Sequence, residues 1–442
     1  IGVPGAVALY EKAHKTFGRR PWGEVLSNAI ELADDGFIVS PRLNNLLTRM
    51  MKYSELDDRP DTGAYFYPGG EPLPVGFVRK NPVYADTLRQ VVDGGAKAFY
   101  TGPLAKAIAT AAQEEPRAGT LTVDDIAGYE VVVRDAVCGA YRKDTICTAP
   151  PPSSGVAQIM IANLYDRLAG DATDENVRLR AFVDAQRLAY ADRDHYVADT
   201  AFSPVPVAAM IDPEYLDARA GQRFAPDAVP VPGDPGSVVH GRAAAVMWGP
   251  DTTEEASGTT HLSIIDAEGN AVSMTATVEA PFGTSRWVGG FLLNNQMTDF
   301  ARQPVKDGKV AANAIEPGKR PRSSMSPIMV FDESGTLKMV NGSPGGNSIV
   351  AYVAKTTLAI LAWDQTVENA IAFPNIVARG EKVRVETADE TGKRIAAMLT
   401  DAGYNVQERE GENSGLHTIV VHPDGLEGGA DPRREGTVET VR

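Results

Sequence analysis

Residues 258–283 read GTTHLSIIDAEGNAVSMTATVEAPFG: two runs in which apolar and polar residues alternate, on either side of a short acidic centre containing glycine. That alternation marks strands with one buried face. A three-residue loop, Ala267-Glu268-Gly269 with Gly269 in the left-handed conformation, is a favoured closure for such a hairpin. Counting then sets the register. Pairing symmetric about Glu268 makes Thr259 and Thr277 opposite numbers at the open end. Two facing hydroxyls have two readings: a Thr–Thr pair that stabilises the sheet, or a hydroxyl nucleophile held by a second hydroxyl.

The residues before Thr259 bear on that choice. Pro226, Pro230, Pro232 and Pro235 are followed by DTTEEASG, so 226–258 reads as an exposed, cuttable linker. A cut between Gly258 and Thr259 gives Thr259 a free α-amine. Its pKa, near 7.7–8.0, leaves much of it neutral at working pH. The amine can then take the proton of its own residue's hydroxyl, the Thr–N-terminal-amine form of nucleophilic catalysis. No histidine triad is needed. The chain has six histidines and no HExxH pair, and its two cysteines form no CxxC motif, so a zinc hydrolase is not indicated.

Downstream segments offer the remaining parts of an acyl-transfer site. Asn341-Gly342-Ser343-Pro344-Gly345-Gly346-Asn347 ends a strand and opens a helix. Gly345 and Gly346 are either a plain turn or a pair of closely approachable N–H groups for an oxyanion. Ser323 and Ser324 are either loop serines or donors to a carboxylate. Asp299 is either a turn or capping residue, or a partner for an ammonium group.

The rest of the chain supplies scaffold. Helical spacing covers Pro4–Phe17, Pro21–Asp35, Pro41–Met51, Asn81–Gly94 and, capped by Thr122, Leu121–Tyr129. Val131–Thr148 reads as a hairpin centred between Arg142 and Lys143. Cys138 and Cys147 are symmetric about that centre, either disulfide-bonded or two small buried residues. Helices follow near Gly155–Leu168 and Asn176–Tyr196. Strands follow at His261–Asp266, Ala271–Val278, Phe291–Asn294, Met325–Phe331 and Lys338–Asn341, then a helix over Ser348–Trp363. A chain of 442 residues predicts two or three domains, or one large α/β unit. The net charge of −15 argues against nucleic acid as partner. The longest apolar stretch, near Ile349–Trp363, is broken by Lys355, so no membrane span is expected.

TTHLSIIDAEGNAVSMT, FGTS, GFLLNNQMTDF, PGKRPRSSMSP, GSPGGNSIV and Asp431-Pro432-Arg433 resemble, in that order, the gamma-glutamyltransferase (gamma-glutamyltranspeptidase) family. Upstream, IGVPGAVALYEKAHKTFGRRPW, ELADDGFIVS, PPPSSG and AYADRDHYVAD are similar to that family's large subunit. The resemblance implies an N-terminal-nucleophile hydrolase with an αββα sandwich. It implies a precursor that cuts itself between Gly258 and Thr259 into large-subunit residues 1–258 and small-subunit residues 259–442, which pair as a heterodimer. It makes Thr259 the nucleophile, Thr277 the threonine bonded to it, and Gly345 and Gly346 the oxyanion hole. Gln296 and Asp299 match residues that hold the substrate α-amine, and Ser323 and Ser324 those that contact its α-carboxylate. The implied substrate is a gamma-glutamyl compound such as glutathione. The acceptor is water, an amino acid or a dipeptide. No cofactor or metal is implied, and the setting is periplasmic or secreted.

Three departures stand out. The resemblance starts inside the large subunit, and no residue is assigned to the family's carboxylate-clamping arginine. Glu279 replaces an asparagine of some bacterial members, an acid that could assist amine binding. Ala301–Gly318 is shorter than a typical lid loop and has no aromatic residue, which implies a more open acceptor side. Two alternatives are a cephalosporin or glutaryl-amide acylase and a non-catalytic homologue that never matures.

Overall fold

The computed structural model describes residues 1–222, 224–241 and 248–441. The chain forms two compact units, one of residues 1–133 and 277–297, the other of 134–276 and 298–442. Neither follows the Gly258–Thr259 boundary.

The first unit is mainly helical. Helices run over Ala6–Phe17, Trp22–Asp35, Pro41–Met50 and Pro82–Gly94, close to the predicted spans. Val123–Ala127 is shorter than predicted but carries a full capping box: Asp125 N–H donates to Thr122 Oγ1 (3.1 Å) and Thr122 N–H to Asp125 Oδ2 (2.8 Å). Phe99, Tyr100, Leu104, Ile108 and Leu293 share one core. The strand predicted over Phe291–Asn294 is only Phe291–Leu292, paired with Trp287–Val288. Leu293 N–H turns instead to Arg286 O (2.9 Å).

The second unit carries the main sheet. Its hairpin strands β1 (Val137–Tyr141) and β2 (Asp144–Thr148) pair with Cys138 opposite Cys147. A disulfide joins the two cysteines, with an S–S distance of 2.06 Å. A second hairpin comprises β3 (Thr260–Ile265) and β4 (Ala271–Ala276). Four more strands, β5 (Ile328–Phe331), β6 (Leu337–Gly342), β7 (His417–His422) and β8 (Gly425–Ala430), complete a six-stranded sheet in the order β8-β7-β6-β5-β2-β1. Strand β5 starts later than predicted. Pro327 has no N–H for the ladder, and its carbonyl accepts from Thr148 Oγ1 (2.9 Å).

Adjacent residues on β6 show what covers each face, because strand side chains alternate. Asn341 points to helix α3 (Ile349–Leu361), donating to Val353 O (3.3 Å) and Thr357 Oγ1 (3.1 Å). Gly342 faces the β3–β4 hairpin, where an added Cβ would come within 2.1 Å of the His261 ring. Helices therefore cover one face and the hairpin the other. Helices α1 (Val156–Ala169) and α2 (Glu175–Tyr196) join α3 in the same apolar core, and Asp174 caps α2 by accepting from Val177 N–H (3.0 Å). Among the described residues, no helix is long and apolar enough to cross a membrane.

The segment read as an open linker is different in its described part; residues 242–247 lie outside the described residues. Pro235–His240 is helical, Asp251 and Thr253 are buried, and the Glu255 side chain is 5% exposed. The cause is a set of buried arginines described below.

The disulfide closes a loop of about ten residues, a crosslink worth roughly 2–3 kcal/mol through the unfolded chain. Unfolding of the Cys138→Ala/Cys147→Ala variant should show a loss of this size. Thiol titration of the denatured wild type should find none. Two titratable thiols would contradict the bridge.

Candidate functional site

The β3–β4 ladder runs from Thr260–Ala276 to Ile265–Ala271, the register counted from the sequence. Asp266 N–H donates to Asn270 O (3.0 Å), and Gly269 sits at φ +85° in the three-residue loop. Strand β4 ends at Ala276, short of the predicted Val278, because the chain then turns at Glu279.

In the first unit, that turn is strained. Glu279 is buried and holds φ +76°, a left-handed conformation that costs a non-glycine residue of order 1 kcal/mol or more. Its N–H donates to Thr277 Oγ1 (2.7 Å), and its carboxylate accepts from Asn295 Nδ2. Asn295 Oδ1 in turn accepts from Ala280 N–H (2.9 Å). Gln296 follows directly, its N–H on Asn294 Oδ1 (3.0 Å). Thr277, Glu279 and Gln296 thus belong to one braced turn.

In the second unit, Thr259 is buried and its carbonyl accepts from Arg434 Nη1 (2.7 Å). Arg434 Nη2 also donates to Ser257 O (3.2 Å) and Asn413 O (2.7 Å). One guanidinium therefore grips carbonyls on both sides of Gly258. Asp299 is buried at the end of the short Gln296–Asp299 turn of 3-10 helix, and its carbonyl accepts from Asn313 Nδ2 (2.8 Å).

The glycine turn after β6 is braced from several sides. Ser343 Oγ accepts from Gly415 N–H (3.2 Å), and Asn347 O accepts from Tyr190 OH (2.6 Å). Gly346 lies at φ +58°, and a Cβ there would come 2.5 Å from Glu255 O and 2.7 Å from Ala256 O. Only glycine fits at this contact, so Glu255 and Ala256 lie against the glycine turn.

Ser323 and Ser324 lie in the same unit, on a loop tied to the segment after β2. Ser323 N–H donates to Pro152 O (2.9 Å), and Ser154 Oγ to Ser323 O (2.6 Å). Arg193, fully buried on α2, donates to Ser154 Oγ (2.7 Å), Ser324 Oγ (2.6 Å) and Glu255 Oε1 (2.6 Å). Ser324 N–H donates to Glu255 Oε2 (2.7 Å). Arg322, also fully buried, forms an ion pair with Asp251 (3.0 Å) and lies 3.9 Å from Glu255. Burial pushes the Glu255 carboxyl upward, but Arg193 and Arg322 outweigh it and hold it below the usual range. Asp194 is likewise held down at about 2, where Arg379 and Arg193 outweigh its burial.

His261 lies on β3 itself. Ser263 Oγ gives its proton to His417 O (2.9 Å), so it can only accept from His261 Nε2 (3.1 Å); Nδ1 then accepts from Thr275 Oγ1 (2.8 Å). That is one neutral tautomer. Burial, with the nearby His417, pushes the His261 pKa down to about 3.

A threonine-headed hairpin on one face of an antiparallel sheet, with helices on the other, defines an α+β fold of the N-terminal-nucleophile hydrolase class. Residues 1–441 match the family Gamma-glutamyltranspeptidase. The chain is 33% identical over 449 residues to the glutathione hydrolase proenzyme of Escherichia coli (strain K12), covering 98% of this chain and 73% of that protein. It is 31% identical over 445 residues to the acylase ACY 1 proenzyme of Pseudomonas sp. (strain SE83), covering 99% and 74%. A cephalosporin acylase from Bacillus halodurans shares the fold, with a TM-score of 0.85, 24% identity, and 99% and 78% of the two chains covered. This protein belongs to the gamma-glutamyltranspeptidase family.

Arg193, Glu255, Arg322, His261 and Arg434 were not singled out from the sequence. Arg193, His261 and Arg322 lie within motifs that carried the resemblance, AYADRDHYVAD, TTHLSIIDAEGNAVSMT and PGKRPRSSMSP, Arg434 directly follows Asp431-Pro432-Arg433, and that position was the available signal.

His261 also gives a pH test. A histidine that is neutral when folded gains protons on unfolding, so its stabilisation is complete above about pH 6.5 and is lost progressively toward pH 3. Between pH 6.5 and 4.5, unfolding free energies from urea titrations should fall less for His261→Gln than for wild type, by about 2 kcal/mol. An identical fall would contradict the neutral assignment.

Proposed function

We propose that this protein is a self-processing gamma-glutamyltransferase and glutathione hydrolase. The observation that carries the reading is the position of Thr259. It heads a hairpin in the predicted register, and the carbonyls on either side of its preceding peptide are held by one arginine.

Cutting between Gly258 and Thr259 frees the Thr259 amine. The neutral amine takes the Oγ proton as Oγ attacks the γ-amide carbon of the donor. The N–H groups of Gly345 and Gly346 receive the oxyanion. Collapse breaks the C–N bond, the leaving amine takes the proton back, and a gamma-glutamyl ester remains on Thr259. Water, an amino acid or a dipeptide attacks that ester by the reverse sequence. Thr277 orients the nucleophile. Gln296, Asp299 and Glu279 receive the donor's ammonium group, and Ser323 and Ser324 its carboxylate.

Residues 1–258 and 259–442 then remain one heterodimer. The reason is topological: β1 and β2 come from the first part, yet β2 pairs with β5 of the second, Thr148 opposite Ile328 and Thr145 opposite Phe331. A cut chain keeps one shared sheet. The disulfide supports an oxidising location, periplasmic or secreted.

A second reading, amide acylase, is favoured by the acylase among the relatives. Substrate choice separates the two. Gamma-glutamyl-p-nitroanilide should be turned over at least about tenfold better in kcat/KM than glutaryl-p-nitroanilide, which keeps the terminal carboxylate but lacks the α-amine. The opposite order would support the acylase.

Arg434 gives a test of processing. Two charge-assisted bonds to the segment being cut are worth about 1.5–3 kcal/mol each. Arg434→Ala should slow self-cleavage at least about tenfold, with partial recovery in Arg434→Lys, followed by the decay of the uncut band. Unchanged decay would contradict the grip.

A further inference from the structure

In the unbroken chain the residues just before the cut fill the places assigned above to the donor substrate. Glu255 Oε2 accepts from Ser324 N–H (2.7 Å), and Oε1 from Arg193 Nη2 (2.6 Å), which also donates to Ser324 Oγ (2.6 Å). Glu255 N–H donates to Asn347 Oδ1 (2.5 Å), and the carbonyls of Glu255 and Ala256 press on Gly346. A carboxylate and a backbone run from the serine pair to the glycine turn.

We propose that Glu255 is a tethered carboxylate that keeps the donor site closed until the chain is cut, and that Arg193 is the cation passed from Glu255 to the incoming substrate carboxylate. The proposal rests on the donor-site reading above.

The physical case is one of exchange. Arg193 is fully buried, and a buried guanidinium stripped of its main anion is costly. Asp194 Oδ1 stays on Nη1 (2.7 Å), but Nη2 and the Ser324 N–H need another carboxylate when Glu255 leaves. Before cleavage Glu255 is held by chain on both sides, so its effective concentration at the site is high. After cleavage it lies on a tail ending at Gly258, fixed at one end only, and a diffusing α-carboxylate can compete. Arg193 thereby acts as a specificity-determining residue for the donor carboxylate.

Two measurements test this. In the uncut Thr259→Ala chain, L-glutamate binding followed by calorimetry should be absent; in Thr259→Ala/Glu255→Ala it should appear, and the α-amide of glutamate should still not bind. Equal binding with and without Glu255 would overturn the proposal, as would no binding in the double variant while it remains folded by circular dichroism. Should that variant not fold, the self-cut wild type decides. Acetyl-Glu-Ala-Ser-Gly should inhibit gamma-glutamyl-p-nitroanilide turnover competitively, at least tenfold better than acetyl-Gln-Ala-Ser-Gly. Equal inhibition with normal turnover would overturn the role of Glu255 alone. Absence of turnover on any gamma-glutamyl amide would instead overturn the donor-site reading.

Discussion

The backbone of Gly342 lies so close to the imidazole of His261 that no side chain fits between them. That contact seats the β3–β4 hairpin on β6, and much of the site depends on it. His261 is two residues after Thr259 on one strand, and Gly342 begins the turn that carries Gly345 and Gly346 on the other. A neutral, doubly hydrogen-bonded ring is a rigid spacer, whereas a charged one in that cavity would be strongly disfavoured. The separation between β3 and the glycine turn is therefore set by packing, which is less compliant than a surface hydrogen bond.

Around this spacer the electrostatics follow one rule: buried charges come in sets. Arg193, Arg322 and Arg379 face Asp194, Asp251 and Glu255 across the second unit. Each set costs desolvation and returns Coulomb energy, so its net contribution to stability is small. Its larger consequence is positional. The segment before Thr259 is drawn into the unit through Asp251 and Glu255, so the Gly258–Thr259 peptide is held in one geometry. A loose linker would leave it in many.

Much of this was legible in the sequence. The β3–β4 register followed from alternation and one three-residue loop. The Cys138–Cys147 pairing followed from symmetry about a turn, and the Thr122 cap from two aspartates after a threonine. These are short-range rules with fixed periods. What was not legible depends on distant pairs. Glu255 meets Ser324 and Arg193 across more than sixty positions each, and Arg434 meets Thr259 across 175. No spacing encodes such contacts. The misjudged linker has the same origin: DTTEEASG is polar by composition, yet two of its acids face buried arginines. The early end of β4 reflects the strained Glu279 turn, which propensity alone does not anticipate.

Every role proposed for the site depends on Thr259 becoming an N-terminus. Purified full-length protein, incubated and then analysed by intact-mass spectrometry with N-terminal sequencing, tests this most directly. The predicted result is two chains, the smaller beginning at Thr259 and ending with the chain's own C-terminus. A single uncut chain with gamma-glutamyl turnover, or a smaller chain beginning at any other residue, would contradict it.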